Sequence, residues 1–294
     1  MAGAELRQIR RRIRSVESTM KITRAMELIA ASRIVKAQQR VAAAQPYTRK
    51  MVEVIRNVAA ASGGAKHPLL EARAVATAGA LIVTSDRGLA GAYNSNVLRM
   101  AESRLIELKR AGADLRLFAV GKKAQSYFRY RGYQIERAFL GVTDTPGYGD
   151  ARAIANVIMN GYAEGDVDSV EVFTTLYVSA LTQRAEARRL LPIEPPTGGD
   201  GIEPAGPVGY TYEPSAEAIL NRLLPRYVEA STFAFLLDAS ASEHAARRRA
   251  MKAATENAEE LVRVLSREAN QARQAEITTE ISEIVGGAEA LTKG

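Results

Sequence analysis

The sequence predicts a mixed fold: a compact, mostly parallel α/β domain inserted between two long terminal helices that pair as an antiparallel coiled coil. Three observations predict it. Near the N-terminus, Leu6, Ile9, Ile13, Val16 and Met20 recur in alternating steps of three and four, the rhythm of a coiled-coil seam. From residue 227 to residue 285 there is neither proline nor glycine, enough chain for a helix about 90 Å long. Between these stretches, short apolar runs alternate with amphipathic ones, the pattern of a sheet covered by helices on both faces. The expected domains are an N-terminal coiled-coil helix over 1–61, an α/β domain over 62–214 and a C-terminal coiled-coil helix over 215–294.

The elements follow in order. After Met20 the apolar stripe shifts to Ile22, Met26 and Ile29, which predicts a stutter in the supercoil. Pro46 is expected to kink or break this helix, because its ring clashes with the preceding turn. Ser62-Gly63-Gly64 and Pro68 end it. Ala80-Leu81-Ile82-Val83 is a short continuous apolar run and predicts a buried strand. A helix with Val97, Leu98, Leu105 and Leu108 on its apolar face follows and closes near Gly112. A second strand spans 115–120, and a helical stretch then runs to Arg131 and Gly132. A glycine-rich loop surrounds Pro146. Residues 151–162 form a helix with Ile154, Val157 and Ile158 on one face, and 170–178, dense in β-branched and aromatic residues, form a third strand.

Residues 192–212 hold five prolines and five glycines and are expected to form a loop or linker. In the last region Leu237, Ala241, His244, Met251, Ala258, Leu261, Leu265, Ala269 and Ala272 keep heptad-like spacing. Ile277, Ile281, Ile284, Ala288 and Leu291 continue it. Two such helices flanking one domain leave it side by side. Their charges favour pairing: residues 1–56 carry 13 Lys/Arg against 4 acids, and residues 227–294 carry 8 against 11.

Composition narrows the chemistry. The 294 residues are 47% hydrophobic and 25% charged, with a net charge of +7, ordinary for a globular chain. Absence of cysteine excludes disulfides, thiolate metal ligands and a thiol nucleophile. The only histidines, His67 and His244, lie far apart in sequence, which argues against a metal hydrolase or a Ser-His-Asp triad. Apolar runs such as 78–84 fall far short of the ~20 residues that span a bilayer. No apolar stretch of signal-peptide type follows the N-terminal arginines. Any membrane association is therefore expected to run through a partner.

Two enzyme-like or ligand-binding features compete with bland alternatives. The loop Ser85-Asp86-Arg87-Gly88-Leu89-Ala90-Gly91-Ala92-Tyr93-Asn94 links a strand to a helix, where backbone N–H groups can cradle a phosphate. Its spacing fits neither the dinucleotide fingerprint nor the P-loop, so a structural turn is favoured over a nucleotide-binding enzyme. Arg7, Arg10, Arg11, Arg12 and Arg14 form a basic cluster that could meet nucleic-acid phosphates. They share a helix with the Leu6/Ile9/Ile13 stripe and have no interleaved aromatics, so a flank of the coiled coil is favoured. His244 is expected to be a packed residue at an inward position. Neither helix has the Glu-x-x-His pattern of a helical metal site.

Several of these segments together resemble one family. Met20-Lys21-Ile22-Thr23-Arg24-Ala25-Met26-Glu27-Leu28-Ile29-Ala30-Ala31-Ser32-Arg33 resembles the first-helix motif of the gamma subunits of F-type ATP synthases. The Ser85 loop is similar to that family's SDRGLCGGLN-type loop, with Ala90 in place of the cysteine. Ser242-Glu243-His244-Ala245-Ala246-Arg247 and Met251-Lys252-Ala253-Ala254-Thr255-Glu256-Asn257-Ala258 resemble its C-terminal helix. So do Ala272-Arg273-Gln274-Ala275 and the run from Ile277 to Ala288.

The resemblance implies a rotor. It implies paired terminal helices inside a hexamer of alternating alpha and beta subunits, and a Rossmann-like central domain against the epsilon subunit and the c-ring. It also implies a peripheral position on the cytoplasmic face of a bacterial cell membrane, reached only through the c-ring, with no nucleic-acid partner. No catalytic, cofactor or metal residue is implied, since catalysis lies on beta. Lys21, Arg24, Met26 and Arg33 match the region near the catalytic subunit's moving lever, and Arg273, Gln274 and Thr278 match positions against a catch loop on beta. Tyr210, Tyr212 and Glu213 resemble the foot segment against the c-ring. The stretch 197–209 has no clear counterpart.

Overall fold

The computed structural model describes residues 2–61, 67–193, 213 and 215–292. In order, these form α1 (Ala2–Ala61), a short 3-10 turn (Pro68–Leu70), β1 (Thr77–Val83), α2 (Tyr93–Arg110), β2 (Asp114–Val120) and α3 (Lys122–Tyr130). Then come β3 (Ile135–Phe139), α4 (Tyr148–Glu164), β4 (Ser169–Tyr177), β5 (Gln183–Leu191) and α5 (Ala216–Thr292). The chain divides into two compact units, Met1–Ile29 with Arg248–Gly294, and Ala30–Arg247. The terminal helices contribute to both units, so their inner halves belong with the sheet.

In the first unit, α1 and α5 pair along heptad seams. On α1 the covered positions are Leu6, Ile9, Ile13, Val16, Met20 and Thr23, then Met26 and Glu27. On α5 they are Met251, Thr255, Ala258, Val262, Leu265, Ala269 and Ala272. The expected stutter after Met20 does not occur. Ile22 is 58% exposed and Ile29 54% exposed, and the seam passes through Thr23 instead. Hydrophobicity misplaced the stripe there because a small polar residue, satisfied within the pair, keeps the seam in register. Leu261 likewise faces outward, with Val262 taking the inner position.

The second unit is built on a five-stranded sheet of order β3-β2-β1-β4-β5. The β1–β2, β1–β4 and β2–β3 pairs are parallel, and only β4–β5 is antiparallel. Alternation along the central strands feeds both faces. Leu81, Val83, Phe118, Val120, Val170 and Val172 join one core with α4 (Ile154, Ile158, Tyr162). That core also takes Met51, Ile55 and Val58 of α1 and Leu220, Leu224, Val228 and Leu236 of α5. Ala80, Ile82, Leu117, Ala119 and Phe173 join the other, with Val97, Leu105 and Phe128 of α2 and α3.

Two expectations need correcting. Pro46 does not break α1, which runs on through it to Ala61. The lost N–H and ring clash, about 3 kcal/mol, are offset by burial of Met51, Ile55 and Val58 in the following turns. Secondly, β3 and β5 were not expected as strands. Both are edges of the sheet, and their exposed, charged side chains (Glu136, Arg137, Arg184, Arg188, Arg189) hide the apolar signal while discouraging edge-to-edge association.

Candidate functional site

The features with most chemical potential lie beyond the carboxyl ends of β1, β2 and β3. A backbone N–H of Ser85 donates to Asn94 Oδ1 at 2.9 Å, Asn94 Nδ2 donates to Ser85 Oγ at 2.8 Å, and the Ser85 hydroxyl donates to the Arg87 carbonyl. These bonds cinch the 85–94 loop. Leu89 at its tip has φ 63°, the left-handed region that leucine rarely enters, and is 64% exposed. Such a conformation costs of order 1–3 kcal/mol and persists only where surrounding contacts impose it.

Those contacts come partly from α5. Arg247 Nη2 donates to the Gly88 carbonyl at 3.2 Å, and Ala246 packs on Ala90 and Tyr93. Arg247 also pairs with Glu243 at 2.7 Å, one turn earlier on the same helix, and both side chains are nearly fully buried. Burial raises the Glu243 carboxyl above the usual range despite the Arg247 charge beside it, and burial likewise raises the Tyr93 phenol. Next along, His244 is buried with Nε2 3.2 Å from the Asp144 carbonyl oxygen. Burial lowers its pKa, which favours the neutral ring. The Asp144 carboxylate is held by Arg33.

The 85–94 loop is therefore a closed turn. The Asp86 carboxylate accepts from the backbone N–H of Lys122 at the start of α3, from the N–H of Gly141 and from the Thr143 hydroxyl. It fills the place an anionic ligand would need. Among the described residues, no group of three or more His, Asp or Glu side chains is placed to hold a metal. None of the described helices is long and apolar enough to cross a membrane.

The partner-facing candidates are spread over both units. Lys21 and Arg24 are exposed in the first unit, and Met26 there is half-covered. Arg33 lies in the second unit, 40% exposed and engaged by Asp144, so its guanidinium is not free. Arg273, Gln274 and Thr278 are all exposed on α5, with the Thr278 hydroxyl donating back to the Gln274 carbonyl. Glu213 is exposed, and Tyr210 and Tyr212 lie outside the described residues. The basic cluster Arg7, Arg10, Arg11, Arg12 and Arg14 is exposed along the start of α1. Sequence reasoning missed the Glu243–Arg247–Tyr93 cluster. Its only local signal was an acid and an arginine four apart on a helix, a spacing that surface pairs share.

Comparison with known proteins agrees with this geometry. The family model described as ATP synthase matches residues 5–291. The chain is 50% identical to the ATP synthase gamma chain of Parafrankia sp., with all of both chains covered. It is 52% identical to that of Acidothermus cellulolyticus, over 98% of each. The chain belongs to the ATP synthase gamma chain family. As a family member it is a non-catalytic subunit. Solved structures share the fold. A chain of the Euglena gracilis mitochondrial ATP synthase superposes with a TM-score of 0.66 at 17% identity, covering 98% of this chain and 95% of that one. A chain from the central stalk/c-ring structure of the Tetrahymena thermophila mitochondrial enzyme gives 0.58 at 23%, covering 79% and 99%.

Proposed function

We propose that this chain is the central rotor shaft of a bacterial proton-translocating F-type ATP synthase. It couples rotation of the c-ring to conformational change at the catalytic beta subunits. The observation that carries the reading is the family match over nearly the full length of the chain. The geometry of the helical pair supports it. Thr23 faces Thr255, so in an antiparallel pair the first residues of α1 face about residue 276 of α5. Beyond that point Ile277, Ile281, Ile284 (71% exposed) and Val285 of α5 are bare among the described residues. A bare apolar tip on a paired stem suits a shaft that ends in a sleeve formed by other subunits.

On α1 the uncovered Ile22, Leu28 and Ile29 share a stretch with Lys21, Arg24 and Met26. An apolar face flanked by cations suits contact with an acidic, mobile segment of beta. Exposed ion pairs worth about 0–1 kcal/mol can form and break at each step. The shaft favours a different beta conformation at each orientation, which is population shift by differential contact. Arg273, Gln274 and Thr278 are assigned to the beta catch loop, and Tyr210, Tyr212 and Glu213 to the c-ring. The alpha and epsilon subunits complete the contacts, and the chain sits peripherally on the cytoplasmic face of the membrane.

Co-expression of the tagged chain with the alpha and beta subunits of its source tests the reading. The expected result is a complex of alternating alpha and beta subunits holding one tagged chain, with ATPase that depends on it. A chain that elutes alone, or with nucleic acid, would overturn it.

A further inference from the structure

Two separate segments, the start of α3 and the loop after β3, aim three donors at one carboxylate beyond the strand ends. The N–H of Lys122 donates to Asp86 Oδ1 at 3.1 Å. The N–H of Gly141 and the Thr143 hydroxyl donate to Oδ2 at 3.0 and 3.1 Å. The Asp86 N–H donates in turn to Thr143 Oγ1 at 3.2 Å, which fixes that hydroxyl's direction. The strand order places β1 between β2 and β4, so the sheet's crossovers diverge here. In open parallel sheets this is where a ligand's phosphate or carboxylate rests on a helix N-terminus. Here the anion is covalently attached to the chain.

We propose that Asp86 is a built-in oxyanion. It occupies the crest seat of the sheet and so joins the 85–94 loop, the start of α3 and the loop after β3 into one rigid mount for α5. The far side of the same loop grips that helix through Arg247 on the Gly88 carbonyl and through Ala246 against Ala90 and Tyr93. Asp86 is thus a positioning residue. Without its carboxylate, two backbone N–H groups and a hydroxyl converge on an empty seat, and the strained Leu89 turn loses one of its two anchors. The seat's chemistry is that of a small oxyanion, so a free one of the right size takes the carboxylate's place. The consequence for coupling rests on the rotor reading, but the anion seat does not, and the two fail separately.

The test is amide hydrogen exchange across residues 85–94 and 121–124. It uses the full-length chain and its Asp86→Ala variant, in sodium formate and in sodium chloride of equal ionic strength. In chloride the variant should exchange about tenfold faster or more, the effect of losing charge-assisted hydrogen bonds. Formate should restore its protection and leave the parent chain unchanged. Protection unaltered in Asp86→Ala, or a loss that formate does not reverse, would overturn the proposal. If Asp86→Ala does not fold in chloride, recovery of the fold in formate supports the seat, and continued failure overturns it.

Discussion

The hydroxyls of Thr23 and Thr255, 232 residues apart in the chain, meet in a buried hydrogen bond of 2.8 Å. Each oxygen also lies within reach of a carbonyl of its own helix, Met20 for Thr23 at 3.0 Å and Met251 for Thr255 at 2.9 Å. Two hydroxyl protons can make only two of these three contacts at once, so one threonine donates across the pair while the other donates to its own backbone. Neither hydroxyl is orphaned if its partner is removed.

The first prediction follows from that sharing. Thr23→Val and Thr255→Val should each cost no more than about 1 kcal/mol, because the remaining threonine still has its helix carbonyl. A double-mutant cycle should return a coupling of about 0.5–1.5 kcal/mol between them. Urea denaturation of the four chains measures it. Zero coupling would mean that the cross-helix bond contributes nothing to the pair.

A second prediction separates strain from crowding at two glycines. Gly112 and Gly121 both have left-handed backbone, φ 89° and 88°. A Cβ on Gly112 meets nothing within 4 Å, whereas one on Gly121 would sit 2.3 Å from the Thr84 carbonyl oxygen. Gly112→Ala should cost about 1–2 kcal/mol, the left-handed penalty alone. Gly121→Ala adds a backbone clash at the crest and should cost well above about 3 kcal/mol, or prevent folding. Equal melting temperatures for the two variants would refute the crowding argument.

How much of this was legible in the sequence depended on how local the signal was. Buried β1, β2 and β4 announce themselves because both faces are apolar, and the helical pair does so through its repeat. The edge strands β3 and β5 do not, since half of each faces water and their arginines and glutamates resemble loop. The Ile22/Thr23 ambiguity is of another kind. Two stripes were available on one helix, one for the chain itself and one left bare, and hydropathy ranks the bare one higher. The closure of the crest was illegible because Asp86, Lys122, Gly141 and Thr143 come together only through the sheet order.

The third prediction concerns pH. Burial pushes the Asp238 carboxyl up to about 7 from 3.8, with nearby Glu186 adding to the rise while Arg188 and the Tyr177 backbone N–H oppose it. A carboxyl raised on folding binds a proton in the native state that the unfolded chain has released. Its stabilising contribution is whole below about pH 4 and is lost as pH rises through 7. By linkage the loss is at most about 4 kcal/mol. Asp238→Asn should flatten the stability profile between pH 4 and 7 relative to the parent. Parallel profiles in denaturant titrations at each pH would contradict the half-buried, protonated aspartate.

The last prediction concerns torque. Arg273 and Gln274 are exposed on α5, and the structure assigns neither an ion pair nor a buried contact within the described residues. Arg273→Ala with Gln274→Ala should therefore leave the chain's stability within about 0.5 kcal/mol, as surface substitutions do. In the assembled enzyme the same pair should weaken ATP synthesis and ATP-driven proton pumping more than it weakens assembly, because these side chains are proposed to engage beta only transiently. Thr278→Val removes the third proposed contact, whose hydroxyl already donates to the Gln274 carbonyl at 2.9 Å and can only accept from a partner. It should reduce coupling less than the double substitution. Full pumping and unchanged synthesis in the double variant would remove Arg273 and Gln274 from the torque path. Coupling would then have to run through the bare Ile277, Ile281 and Ile284 stripe, one turn further on.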